Sequence, residues 1–159
     1  MPKSVDVTTP SDTEIKVERH FNAPPSLVFD CHVKPELVRK WMLGPPGWTM
    51  PVCEIDARPG GKYRHRWRKD DTGNEFGANG EFHEVAAPSR ITQTEWMEGF
   101  DGSADVGTDF TPESAGTKLS IIMKFESKEA RDGAVATGMA DGMGMSYDKL
   151  DAVLETMKK

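Results

Sequence analysis

Residues 62–68 alternate so that Tyr63, His65 and Trp67 share one face of a strand while Arg64, Arg66 and Arg68 share the other. A hydroxyl, an imidazole and an indole N–H set among aromatic surface is the mixture a small-molecule pocket uses: mostly apolar, with a few polar groups to fix orientation. Glu95, facing inward with Ile91 and Gln93, would be a carboxylate in an apolar interior. Such a group is pushed toward its protonated form and can give or take a proton. His65 and His83 on adjacent strands, with Glu81 or Glu95 close by, would supply the histidine–carboxylate pair that is the minimum for general acid–base work. An ordinary cross-strand polar pair accounts for the same residues without any chemistry, and no nucleophile motif accompanies them. Catalytic residues are therefore left unassigned.

The remaining candidates are apolar. Met123, Met139 and Met143, with Phe110, are expected to line the wall of the same cavity, where thioethers adapt to irregular shapes. Trp41 and Trp48 flank the loop Leu43-Gly44-Pro45-Pro46-Gly47 and read as a rim over one end. The arginines on the far side of 62–68 read as a solvated face, neutralised by Asp70, Asp71 and Glu75. His20, His32, His65 and His83 have no metal-binding spacing, and Cys31 with Cys53 forms no cluster. No metal and no cofactor is expected.

These side chains need elements to hold them. Residues 14–21 alternate as a first strand, and Asn22-Ala23-Pro24-Pro25 ends it. Pro25 and Pro35 each open a short helix, since a proline in the first turn loses no needed hydrogen bond. From residue 48 to 125 strand follows strand, with turns at Arg58-Pro59-Gly60-Gly61, Asp70-Asp71-Thr72-Gly73-Asn74, Ala86-Ala87-Pro88-Ser89 and Pro112-Glu113-Ser114-Ala115-Gly116. Ser127 is a plausible N-cap for one long helix. Val135, Met139, Met143, Ser146, Leu150, Val153 and Met157 form its apolar stripe. Such a helix must lie across the sheet to bury the stripe, and Gly138, Gly142 and Gly144 would leave room between the two.

The 159 residues suffice for one domain with a real core. Residues 1–12 read as a flexible tail and 13–159 as a single domain. Lys and Arg number 20 against 26 Asp and Glu, a net charge of −6. That balance excludes a basic nucleic-acid footprint and disfavours an anionic membrane. No apolar run approaches the roughly 20 residues of a membrane span, so membrane insertion is not expected. The N-terminus has no signal-peptide core and the thiols are few, which suits a cytoplasmic location.

Several strings resemble the START-like (SRPBCC) superfamily, and within it the domains homologous to the activator of the ninety-kilodalton heat-shock protein ATPase. They are Phe21-Asn22-Ala23-Pro24-Pro25 with Val28-Phe29-Asp30, Pro35-Glu36-Leu37 with Lys40-Trp41, Arg58-Pro59-Gly60-Gly61-Lys62-Tyr63, and Gly80-Glu81-Phe82-His83-Glu84-Val85. Pro88-Ser89-Arg90-Ile91, Thr94-Glu95, Ala130-Arg131-Asp132 and Gly138-Met139-Ala140-Asp141-Gly142-Met143 also fit, so the likeness spans roughly residues 14–157. It implies a helix-grip α+β fold: a curved antiparallel sheet of about six to seven strands around a C-terminal helix, with two short helices after the first strand. The expected function is binding of a small, largely apolar molecule, lipid-like or an aromatic metabolite, between sheet and helix. A cyclase- or dehydratase-like enzyme in the same cavity is the second reading. A co-chaperone whose partner is the heat-shock ATPase is the third.

Overall fold

The computed structural model describes residues 5–100 and 102–157. Its elements run β1 (Asp6–Ser11), β2 (Glu14–Phe21), α1 (Pro25–Val33), α2 (Pro35–Trp41), β3 (Trp48–Ile55), β4 (Lys62–Lys69), β5 (Glu75–Ala86), β6 (Arg90–Met97), β7 (Ala104–Glu113), β8 (Gly116–Phe125), α3 (Lys128–Ala136) and α4 (Met139–Met157). All eight strands form one antiparallel sheet in the order β1-β2-β8-β7-β6-β5-β4-β3. This is the expected helix-grip α+β architecture, with one or two strands more than the alternation suggested.

The extra strand is β1, which lies in the segment expected to be a tail. Every residue of Asp6–Ser11 is exposed, so no buried alternation marks it in the sequence. It is an edge strand held by backbone pairing to β2, from Asp6 opposite Glu18 to Ser11 opposite Glu14. The ladder slips between Thr8 and Ser11, around Pro10, which has no N–H to donate.

A second correction concerns the C-terminal helix, which is two helices. Ser127 does cap the first, its side chain accepting from the Ala130 N–H at 3.0 Å. Gly138 adopts φ +79°, a left-handed conformation that ends α3 and lets α4 start in a new direction. The predicted stripe therefore holds only within α4, where Ser146 and Leu150 are buried and Val153 is half-buried. Val135, before the break, is 48% exposed.

The core lies between the concave face of the sheet and α1, α2 and α4. Alternation sends Ile15, Val17, Leu119, Ile121, Met123, Phe110 and Phe82 inward, where they meet Val28, Phe29, Trp41, Tyr147, Leu150 and Leu154. Trp41 is a core residue, not a rim. It is 2% exposed, stacks on Tyr147 with centroids 5.5 Å apart, and donates its indole N–H to the Cys31 carbonyl at 2.8 Å. Arg19 also points inward from β2 and forms ion pairs with Asp148 and Asp151 of α4. Ser146 accepts from the Gly44 N–H, and Lys149 donates to the Gly44 carbonyl, each at 2.8 Å. Those bonds fix α4 to β2 and to the loop after α2, so the helix sits in one place above the sheet.

Candidate functional site

Strand register builds a polar row under the sheet. Tyr63 on β4 lies opposite Gly80 on β5, and Gly80 lies opposite Glu95 on β6. One strand spacing is about 4.8 Å, so a tyrosine reaches the second strand over only if nothing stands between. Gly80 supplies the gap. A Cβ built there would lie 2.0 Å from Tyr63 Cε2 and 2.1 Å from Cζ, so the ring crosses directly over the glycine backbone. Tyr63 Oη then donates to Glu95 Oε1 at 2.8 Å. His65 and Phe82 hold the ring from either side, at centroid distances of 5.0 and 5.3 Å.

The electrostatics follow from burial. Desolvation holds the Glu95 carboxyl above the usual carboxylate range, and the Tyr63 bond opposes this less strongly. Burial and then the adjacent Glu95 charge push the Tyr63 phenol far up, so it stays an O–H donor. His65 is 6% exposed, and burial lowers its pKa to about 4, leaving the imidazole neutral at pH 7. Its Nδ1 is buried without a hydrogen-bond partner among the described residues, and so is Oε1 of Gln93, which lies on β6 opposite Phe82. Two orphaned polar atoms, a desolvated carboxyl and a committed phenol thus share one patch of the concave face.

The other predicted residues divide. Trp67 is half-buried, donates its N–H to the Met42 carbonyl at 2.7 Å, and stacks on Phe76 at 5.1 Å. Trp48, also half-buried, meets Phe76 edge-on at 5.5 Å, so the two tryptophans close the end of β3 to β5 beside the loop after α2. Met123 and Phe110 are buried in the core, Phe110 against Phe29 and His32. Met139 and Met143 are partly buried against the same cluster.

His83 departs from the expectation. The β5–β6 register shifts between Phe82 and Glu84, and His83 is exposed at this irregularity, its Nε2 2.6 Å from Thr94 Oγ1. It is not on the face that carries His65, so the anticipated histidine pair does not form.

Three residues matter that the alternation did not single out as site residues. Gln93 shares the face of Glu95, two residues earlier, and that spacing was its only signal. Gly80 was a glycine inside a strand, which generally marks a close approach of some other group. His32 sits against Trp41, Phe110 and Tyr147, with Nδ1 2.7 Å from the Val28 carbonyl and a pKa lowered by burial to about 4. Nothing in its sequence context marks it.

On the outer face a depression of about 420 Å³ is lined by Glu54, Lys62, Arg64, Asn79, Glu81 and Trp96, with the backbones of Tyr63 and Gly80 behind it. Among the described residues, no three of His, Cys, Asp and Glu are grouped to hold a metal ion. Both cysteines are buried and free, and burial pushes the Cys31 thiol up to about 11. No helix among the described residues is long and apolar enough to cross a membrane.

With this geometry in view, residues 22–155 match the family described as Activator of Hsp90 ATPase homolog 1-like protein. The chain belongs to that family. A crystal structure of a Rhodobacter sphaeroides protein superposes with a TM-score of 0.91 at 27% identity, covering 98% of this chain and 99% of that one. A Chromobacterium violaceum crystal structure gives 0.77 at 28% identity, over 89% and 97%. An AHSA1-like protein from Aeromonas hydrophila shares the fold, with a TM-score of 0.74 at 21% identity over 88% and 93%. No curated protein matches. Family members thus share this sheet and helix arrangement, and the polar row from Tyr63 to Glu95 is described by this chain's own residues.

Proposed function

We propose that the protein binds a small, largely apolar molecule between the concave face of the sheet and α4, with its polar end at Tyr63, His65, Gln93 and Glu95. The observation that carries this reading is the pair of orphaned atoms, His65 Nδ1 and Gln93 Oε1, beside a desolvated carboxyl. A buried polar group without a partner costs roughly 1–3 kcal/mol, so two of them in one patch beside Glu95 suit a ligand that completes their bonds. The drive for binding is removal of apolar ligand surface from water, about 25 cal/mol per Å² before association costs. Family membership supports the reading at the level of fold.

The test is NMR mapping with 2-naphthylmethanol, a rigid apolar body with a hydroxyl head, on isotope-labelled full-length protein. Shift changes concentrated at Tyr63, His65, Gln93 and Glu95 are the expected result. Changes confined to Arg64, Asn79 and Trp96 on the outer face, or none at saturation, would overturn it.

A further inference from the structure

The polar end of this interior has a definite hydrogen-bonding sense. Tyr63 holds the free O–H of the group, and that proton is already given to Glu95 Oε1. Glu95 Oε2 accepts no hydrogen bond from the described residues, and Gln93 Oε1 is buried without a partner. Gln93 Oε1 accepts in any state, and Glu95 Oε2 accepts when the carboxyl is ionised. His65 Nδ1 can serve either way, because the neutral ring chooses its tautomer.

Few cations approach the row: Arg39 of α2 lies by the Cys53 thiol, opposite His65 across the β3–β4 ladder, and the other arginines lie elsewhere. Arg64 and Arg66 project from the outer face, where Arg66 pairs with Glu75 and Glu98. Arg19 is the arginine of β2 that points inward, and it is committed to Asp148 and Asp151 of α4. A carboxylate or phosphate entering the row would meet the Glu95 carboxyl, when ionised, with no cation among the described residues paired to it, an arrangement that low local dielectric penalises heavily.

We propose that this interior selects ligands whose polar end donates hydrogen bonds, an alcohol, phenol or amine on an apolar body, and rejects carboxylates and phosphates. The donor bonds Glu95 Oε2 and Gln93 Oε1, while the apolar body displaces water along the aromatic wall of Tyr63 and Phe82. The inference rests on the interior-binding reading above and refines it from the shape of a ligand to its head group. Fatty acids, apolar but anionic, fall outside the selected class.

The experiment uses four probes with one skeleton: naphthalene, 2-naphthylmethanol, 2-naphthylmethylamine and 2-naphthoate. Calorimetry at pH 7.5 gives affinities for the full-length protein and for Glu95→Gln, whose fold is checked by circular dichroism. The alcohol or the amine should bind roughly tenfold tighter than naphthalene, the worth of one good hydrogen bond. Naphthoate should bind more weakly than naphthalene. Glu95→Gln removes the charge but keeps an acceptor, so the naphthoate penalty should shrink. The amine should lose affinity there if the natural head is a cation, and the alcohol should keep most of its affinity if the natural head is a hydroxyl. Naphthoate binding as tightly as the alcohol to the wild type, or a naphthoate penalty undiminished in Glu95→Gln, would overturn the selectivity. Naphthalene bound inside with a flat head-group series sinks the selectivity alone. No binding by any of the four removes the interior-binding reading and this inference together.

Discussion

Gly80→Ala is the sharpest perturbation of the polar row, because its effect is set by distances and not by chemistry. The new methyl would stand 2.0, 2.1 and 2.4 Å from Tyr63 Cε2, Cζ and Oη. Both neighbours are fixed, the glycine by ladders on either side and the ring by His65 and Phe82, so the ring must leave its seat. Overpacking of this kind costs roughly 1–3 kcal/mol. Losing the Tyr63 bond and leaving a desolvated carboxyl unpartnered costs roughly 1.5–3 kcal/mol more. Replacing a strand glycine by alanine returns about 0.5–1 kcal/mol of chain entropy. The net expectation is a loss of about 2–4 kcal/mol, measured by urea unfolding followed through tryptophan fluorescence. Tyr63→Phe should cost about 1.5–3 kcal/mol, since the ring stays over Gly80 and only the hydroxyl goes. The two should not add: with the bond already absent in Tyr63→Phe, the alanine has less to break, and the cycle should show a coupling of about 1–2 kcal/mol. A Gly80→Ala protein within about 0.5 kcal/mol of wild type, or strict additivity, would refute the picture of a ring seated on the glycine.

Two further predictions concern titration and backbone. The His65 pKa is lowered to about 4 when folded, so the unfolded chain binds its proton more readily. Its stabilising contribution is full above the ordinary histidine value near 6.5 and is lost as pH falls toward 4, by up to roughly 3 kcal/mol. His65→Gln should flatten the decline in urea midpoint between pH 7.5 and 4.5, leaving the share due to His32; an unchanged slope would contradict the assignment. Between α3 and α4, Gly138→Ala meets no atom within 4 Å but must hold φ +79°, so it should destabilise by about 1–2 kcal/mol. Gly142→Ala has equally open surroundings and a helical backbone, so it should stabilise by up to about 1 kcal/mol. Thermal melts giving both substitutions the same sign would mean that Gly138 does not break the helix.

What the sequence revealed depended on whether the physics was local. The alternation of 62–68 put Tyr63 and His65 on one face and Arg64 and Arg68 on the other, because side chains on a strand change face with every residue; that the first face is the inner one came from the structure. Proline at 25 and 35 and serine at 127 marked helix starts for equally local reasons. β1 was illegible because an exposed edge strand buries nothing and so leaves no pattern. The break at Gly138 was hidden by a run of small residues that a continuous helix would also tolerate. Trp41 read as a rim because its neighbours are a loop, while Tyr147, more than a hundred residues on, is what buries it.

The polar row belongs to a third class, legible only once register is known. Alternation can assign Tyr63, Gly80 and Glu95 each to one face of its own strand, but cannot say that they stand in one line across three strands. The outer face repeats the device. A Cβ on Gly77 would come within 2.9 Å of Arg66 Nη1, and Arg66 bonds Glu98 at 2.8 Å. Gly107 also lies under Arg90, with Nη2 3.2 Å from a Cβ built there, but the carboxylate that Arg90 reaches at 2.7 Å, Asp109, is on Gly107's own strand and directly opposite Arg90. At Gly80 and Gly77 a strand glycine, which weakens β-structure on its own account, gives room to a long side chain that crosses it to a carboxylate on or just past the next strand. Once register is known, an in-strand glycine flanked by strands bearing a long donor and a carboxylate is thus a sign of a bond across it, and Gly80 is the instance where that bond lies inside.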